Sequence, residues 1–321
     1  MERSKLLVRW RSAQLVGLSA GGGLVGALWF RPSLGLDLLW NGLIPLAPLL
    51  LVVAPGLWRN VCPLGTASLL GRVRERRGQL SPKVAETLEG LGVGAMVVLI
   101  PLRHVVLDRR GHLSALMLLT AAAVALAMGA RFEGRGGWCT ALCPILPVER
   151  LYGFAPAWTF TNQRCERCVG CVRPCPDSRP QVAGANDRWG STLVTGGFVG
   201  FIWGWYQVPD AVGPLGVVEV VEAFAWPLLG GAVSLLAFGA AGRWVPSSRD
   251  RLFGTAAVSL YYWYRLPALV GLGRFANTGV LVDLSMVLPW WAALVSRAVS
   301  TSFFVWFLLV RRHAWKSSSH S

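Results

Sequence analysis

The sequence predicts an all-α, polytopic membrane protein with about eight transmembrane helices and a small cysteine-rich insert. Three observations carry that prediction. Of 321 residues, 54% are apolar and only 15% charged, against about 25% charged in an ordinary soluble domain. Apolar stretches recur at lengths near or above the roughly 18 residues that cross a bilayer. Between them lies one short run, Cys165-Glu166-Arg167-Cys168-Val169-Gly170-Cys171-Val172-Arg173-Pro174-Cys175, closed by Pro176.

The apolar stretches place candidate spans at 13–30, 36–55, 91–107, 113–130, 190–207, 217–240, 252–272 and within 279–310. The last exceeds one straight helix and reads as a surface segment followed by a span. The first ends in Trp29-Phe30-Arg31 with no small-residue cleavage site, so it reads as a retained helix and not a secretory signal. The chain divides into an N-terminal membrane domain of two helical hairpins (1–130), a loop region holding the cysteine run (131–189), and a C-terminal membrane domain (190–321).

Orientation follows from charge, because Lys and Arg are retained on the cytoplasmic side. With the N-terminus inside, segments 1–12, 58–90, 131–189, 242–251 and 311–321 hold 24 of the 31 Lys and Arg. Both termini and both cysteine-bearing loops are then expected in the cytoplasm, with the chain multi-pass in the cell's inner membrane. The net charge of +15 reads as this topology signal plus attraction to anionic membrane lipid. A nucleic-acid partner is not expected, since no soluble basic domain is present.

Three thiols at intervals of three, then a fourth before proline, is ligand spacing for a 4Fe–4S cluster. Zinc sites usually set two cysteine pairs a dozen or more residues apart, and these thiols are too crowded for that. Cys165, Cys168, Cys171 and Cys175 are therefore the expected cluster and metal ligands. The seven cysteines lie in loops assigned to the reducing side, where clustered thiols serve metals more often than disulfides. Arg164, Arg167 and Arg173 flank the run. They either favour the reduced cluster by their charge or are ordinary topology-setting arginines.

A repeat precedes the run. Gly56-Leu57-Trp58-Arg59-Asn60-Val61-Cys62-Pro63 corresponds to Gly137-Trp138-Cys139-Thr140-Ala141-Leu142-Cys143-Pro144. The second copy reads C-x3-C-P; the first carries Trp58 where the leading cysteine stands. Leu70 and Leu151 fall at the same offset after each proline. The pattern reads as two duplicated hairpins, each ending in a cysteine–proline turn. Proline holds the preceding residue extended, which turns a thiolate away from the helix, and a spacing of four puts Cys139 and Cys143 on one face of a helical turn.

These motifs resemble the membrane-bound polyferredoxins of the NapH/NosR type, accessory proteins of respiratory nitrate and nitrous oxide reduction. The resemblance covers about 36–180 and rests on Cys139/Cys143-Pro144, Cys165/Cys168/Cys171/Cys175-Pro176 and the partial copy Cys62-Pro63. It implies a ferredoxin-like insert on the cytoplasmic side. The chain departs from that pattern in carrying one ferredoxin run instead of two, in lacking the first leading cysteine, and in its apolar half after 190.

In two-cluster ferredoxins the fourth cysteine of a run serves the other cluster. On that rule Cys165, Cys168 and Cys171 take a remote thiol, Cys143 or Cys62, and Cys175 joins Cys139 at a second centre. Seven thiols leave that centre three-iron or reliant on a residue such as Asp177. The simpler alternative is one cluster held by the run alone, with Cys139 and Cys143 structural or reactive and Cys62 a small buried thiol.

Ionisable residues within spans are functional candidates. Glu219 and Glu222 suit a proton relay or an interface, and so does Asp283. His104 suits a haem iron or a quinone oxygen, although the spans offer no second histidine. The sixteen tryptophans and Tyr261-Tyr262-Trp263-Tyr264 suit interfacial belts. Two functions from different classes follow. One is single-electron transfer between a cytoplasmic donor or the quinone pool and a partner redox complex, with no bond-making catalysis by the polypeptide. The other is an assembly factor that reduces a metal or thiol for a respiratory enzyme. A transporter with redox-sensing cysteines is a third.

Overall fold

The computed structural model describes residues 2–71, 80–132, 137–154, 156–158, 189–211, 213, 216–245, 248–275 and 278–311. Among these, regular structure is entirely helical. In chain order the helices are α1 (Glu2–Phe30), α2 (Pro32–Leu36), α3 (Ile44–Val53), α4 (Pro55–Val61), α5 (Pro63–Leu70), α6 (Pro82–Leu102), α7 (Gly111–Arg131), α8 (Leu146–Tyr152), α9 (Trp189–Trp205), α10 (Val217–Ala241), α11 (Arg249–Leu269) and α12 (Trp291–Val305). Wider π-turns run over Asp37–Leu43, Arg103–Leu107, Trp138–Leu142 and Trp306–Val310. Proline opens α2, α4, α5 and α6, where its missing N–H costs nothing and its fixed φ suits the first turn.

Six helices among the described residues are long and apolar enough to cross a membrane: Val8–Phe30, Pro32–Val53, Pro82–Leu107, Gly111–Arg131, Val217–Ala241 and Trp291–Val310. The chain is thus a multi-pass membrane protein. The expected count of eight is not reached, because two of the expected spans are helical but fall short. Helix α9 has 17 residues, and at 1.5 Å per residue it is shorter than the roughly 30 Å hydrocarbon core. Helix α11 has length enough, but Arg249, Asp250, Arg251 and Arg265 dilute its apolar character. Residues 279–290 are irregular before α12 begins, as expected of a surface segment ahead of the final span.

The first two hairpins are related by the repeat. Helix α4 packs on α1, and the corresponding turn Trp138–Leu142 packs on α6. A Cβ at Gly17 would lie 2.2 Å from the Val61 carbonyl oxygen, and one at Gly92 2.6 Å from that of Leu142. Val61 and Leu142 each immediately precede a corner cysteine. The short helices beyond the corners exchange partners: α5 packs on α7, and α8 packs on α3. Backbone N–H groups of Ala157 and Trp158 then donate to the Val53 carbonyl at 2.9 and 3.1 Å.

Helices α9 and α10 approach closely along their length. A Cβ at Gly200 would fall 1.8 Å from the Gly230 carbonyl oxygen, and Ser234 Oγ donates to the Gly196 carbonyl at 2.6 Å. Small residues that let backbones touch, with a hydroxyl across the seam, are the usual adhesive between helices in lipid. One apolar core joins all three sequence regions: Leu51, Val93, Tyr152, Phe198, Val258 and Phe307 belong to it.

Candidate functional site

The two cysteine–proline corners are built alike. Cys62 ends α4 at φ −55°, ψ 124° and Cys143 ends the Trp138–Leu142 turn at φ −58°, ψ 121°. Each is extended, as a residue before proline must be. The Cys62 N–H donates to the Trp58 carbonyl and the Cys143 N–H to the Trp138 carbonyl, both at 2.9 Å. The first bond closes an α-turn and the second a π-turn.

The corners bring Cys62, Cys139 and Cys143 into one neighbourhood. Burial pushes the Cys143 thiol well above the ordinary range, and the adjacent Cys139 and Cys62 push it in the same direction. A Cβ added at Gly65 would stand 3.5 Å from Cys139 Sγ and 3.7 Å from Cys62 Cβ. All three cysteines are half-buried and none is in a disulfide. Among the described residues, no group of three or more His, Cys, Asp or Glu is arranged to hold a metal ion. The run Cys165, Cys168, Cys171 and Cys175 lies outside the described residues, as do Arg164, Arg167, Arg173 and Asp177.

Two buried ion pairs flank the corners, and sequence reading missed both. Arg59 of α4 pairs with Glu149 of α8, and Arg150 of α8 pairs with Glu89 of α6 at 2.8 Å. Adjacent residues of one short helix thus bond to both hairpins. The partners are separated by 90 and 61 residues in sequence, so no local pattern announces them.

At the opposite end of the same helices sits a polar and aromatic cluster. The π-turn after Pro101 carries Arg103 and His104 inward. Arg103 Nε donates to Asp108 Oδ2 at 2.9 Å. Its guanidinium lies 5.0 Å from the Trp40 ring and 5.1 Å from the Trp205 ring. His104 Nδ1 bonds Asp210 Oδ1 at 2.6 Å, and Nε2 donates to the Trp205 carbonyl at 3.0 Å. His104 is thus committed within the protein, with no ring nitrogen turned to a haem iron or a quinone oxygen. Burial opposes the Asp210 charge, but the His104 bond and the nearby Arg103 and Arg265 outweigh it and hold the carboxyl below the ordinary carboxylate range.

The aromatic belt reading is corrected for part of α11. Tyr262 is buried and its hydroxyl donates to the Pro45 carbonyl at 2.5 Å, while Tyr264 stacks on Tyr206 with centroids 4.7 Å apart. Of the four, Trp263 alone is exposed. Successive helical residues point about 100° apart, so four aromatics in a row cannot all face lipid. Glu219 and Glu222 are exposed at the start of α10. Asp283 is exposed and accepts from the Ser285 N–H at 2.9 Å, which lowers its carboxyl pKa. That is the placing expected of interface residues. The chain matches no protein-family model, no curated protein and no solved structure.

Proposed function

We propose that the chain is an integral membrane iron–sulfur protein, similar to the NapH/NosR polyferredoxins, that passes single electrons at the cytoplasmic face. Its donor is a soluble reductant or the quinone pool, and its acceptor a partner redox complex. The observation that carries this reading is the run Cys165, Cys168, Cys171, Cys175 before Pro176, whose spacing suits a cubane cluster. Those four thiolates would hold the cluster, which supplies one-electron redox chemistry when bound. The chain binds it, sets its surroundings and anchors it to the bilayer. Cys62, Cys139 and Cys143 supply a second group of soft sulfur donors, but their arrangement does not amount to a metal site on its own.

The same proposal includes eight crossings. Helices α9 and α11 pack against one another and against α10 and α12, so a span there need not be apolar on every face. Positive-inside bias then puts the cysteine loops and both termini in the cytoplasm of a cell with the chain in its inner membrane.

Anaerobic purification of the full chain, with iron and sulfide analysis and EPR after reduction, tests the reading. About four irons mean that the run acts alone, and about seven or eight mean that the corner thiols join a second centre. Cys168→Ser is expected to abolish the cluster signal while leaving membrane insertion intact. Unchanged iron in that variant, or zinc in place of iron, would overturn the assignment. A second reading, an assembly factor that reduces a metal or thiol, draws on three thiols held together outside any disulfide. It predicts that a deletion strain accumulates the partner enzyme without its metal.

A further inference from the structure

Arg265 of α11 is only 1% exposed. One of its terminal nitrogens, Nη2, donates to the Trp40 carbonyl at 2.7 Å and to Asn41 Oδ1 at 2.6 Å. Both acceptors are neutral. Among the described residues no carboxylate forms an ion pair with it, and its Nε has no hydrogen-bond partner. The nearby acids are engaged elsewhere, Asp108 with Arg103 and Asp210 with His104. Asp108 and Asp210 supply negative charge nearby without bonding it, and a fully buried guanidinium without a direct ion pair is costly.

Two further groups in this cluster share the deficit. The hydroxyls of Tyr206 and Tyr261 are buried and have no partner among the described residues. Three groups able to donate a hydrogen bond therefore lie near one another without partners among the described residues. Beside them is a cavity of about 20 Å³ lined by His104, Trp205, Tyr206, Tyr264, Arg265 and Arg274. That volume admits one small guest.

We propose that this cavity binds a single small anion of chloride size, held as the direct ion-pair partner of Arg265 with the Tyr206 phenol as a second donor. The anion completes the joint at which Arg265, from the C-terminal half, clasps the backbone of the Asp37–Leu43 turn. The site is separate from Cys62, Cys139 and Cys143, which lie toward the other end of the bundle.

The test uses the full chain in detergent with chloride replaced by gluconate, which is too large to enter, followed by titration with bromide. Once the site saturates, the unfolding midpoint should rise by roughly 2 °C for each tenfold increase in bromide. Crystals grown in bromide should show one anomalous peak against Arg265. Tyr206→Phe should weaken the bromide effect about tenfold, and Arg265→Gln should remove it. An unmoved midpoint in the unaltered chain, with no anomalous peak, would mean that water fills the cavity and would overturn the proposal even if Arg265→Gln failed to fold.

Discussion

At Cys62 and at Cys143 the chain turns through the same corner, with φ and ψ within 3° of each other. Four residues earlier the corners diverge, to Trp58 in one and Cys139 in the other. Trp58 packs against the main core, whereas Cys139 lies with Trp138 in a smaller apolar cluster beside α7. The corner's shape is therefore a property of the cysteine–proline pair and survives loss of the leading thiol. What varies is use: the first corner contributes packing and one sulfur, the second contributes two sulfurs.

The largest expected effect comes from severing the link between the corners. Glu149→Leu removes the buried carboxylate that Arg59 pairs with and should cost about 3 kcal/mol, whereas adding Arg59→Met should recover most of it. Denaturant unfolding in detergent measures both. If the single and double variants were equally unstable, packing alone would join the corners.

Acid distinguishes the corners from the opposite end. Asp210 has its pKa depressed in the fold, so its contribution is in place above the ordinary carboxylate range, near about pH 4, and disappears as pH falls through the depressed value. Asp210→Asn should cost about 1 kcal/mol at neutral pH and flatten the acid limb of the stability profile. An acid limb unchanged in that variant would place the titrating group elsewhere.

The smallest effect tests the corner geometry itself. Pro63→Ala and Pro144→Ala should each destabilise by about 0.4–1 kcal/mol, through the freedom returned to the unfolded chain. Equal costs would sharpen the equivalence of the two corners, and a clear inequality would break it.

Sequence alone made six of the apolar spans and the two cysteine–proline corners readable, because hydropathy and proline both act locally. The start of α6 was less readable. Its first turns carry Lys83, Glu86 and Glu89, so hydropathy begins the span at 91 while Ser81 caps the helix from below. His104 stood out as an ionisable group in a span, but its partner Asp210 lies 106 residues away, beyond any local pattern. Arg265 carries no signal for the opposite reason, since one arginine beside a tyrosine run is unremarkable until the fold buries it without a direct ion pair.

The exchange of partners beyond the corners, α5 on α7 and α8 on α3, has a consequence for biosynthesis. Helix α5 ends at Leu70 and its seat is finished only at Arg131. At about 5–20 residues per second of synthesis, α5 rests on α1 and α4 alone for roughly 3–12 s before α7 is complete. The first hairpin's packing is thus finished only by the second.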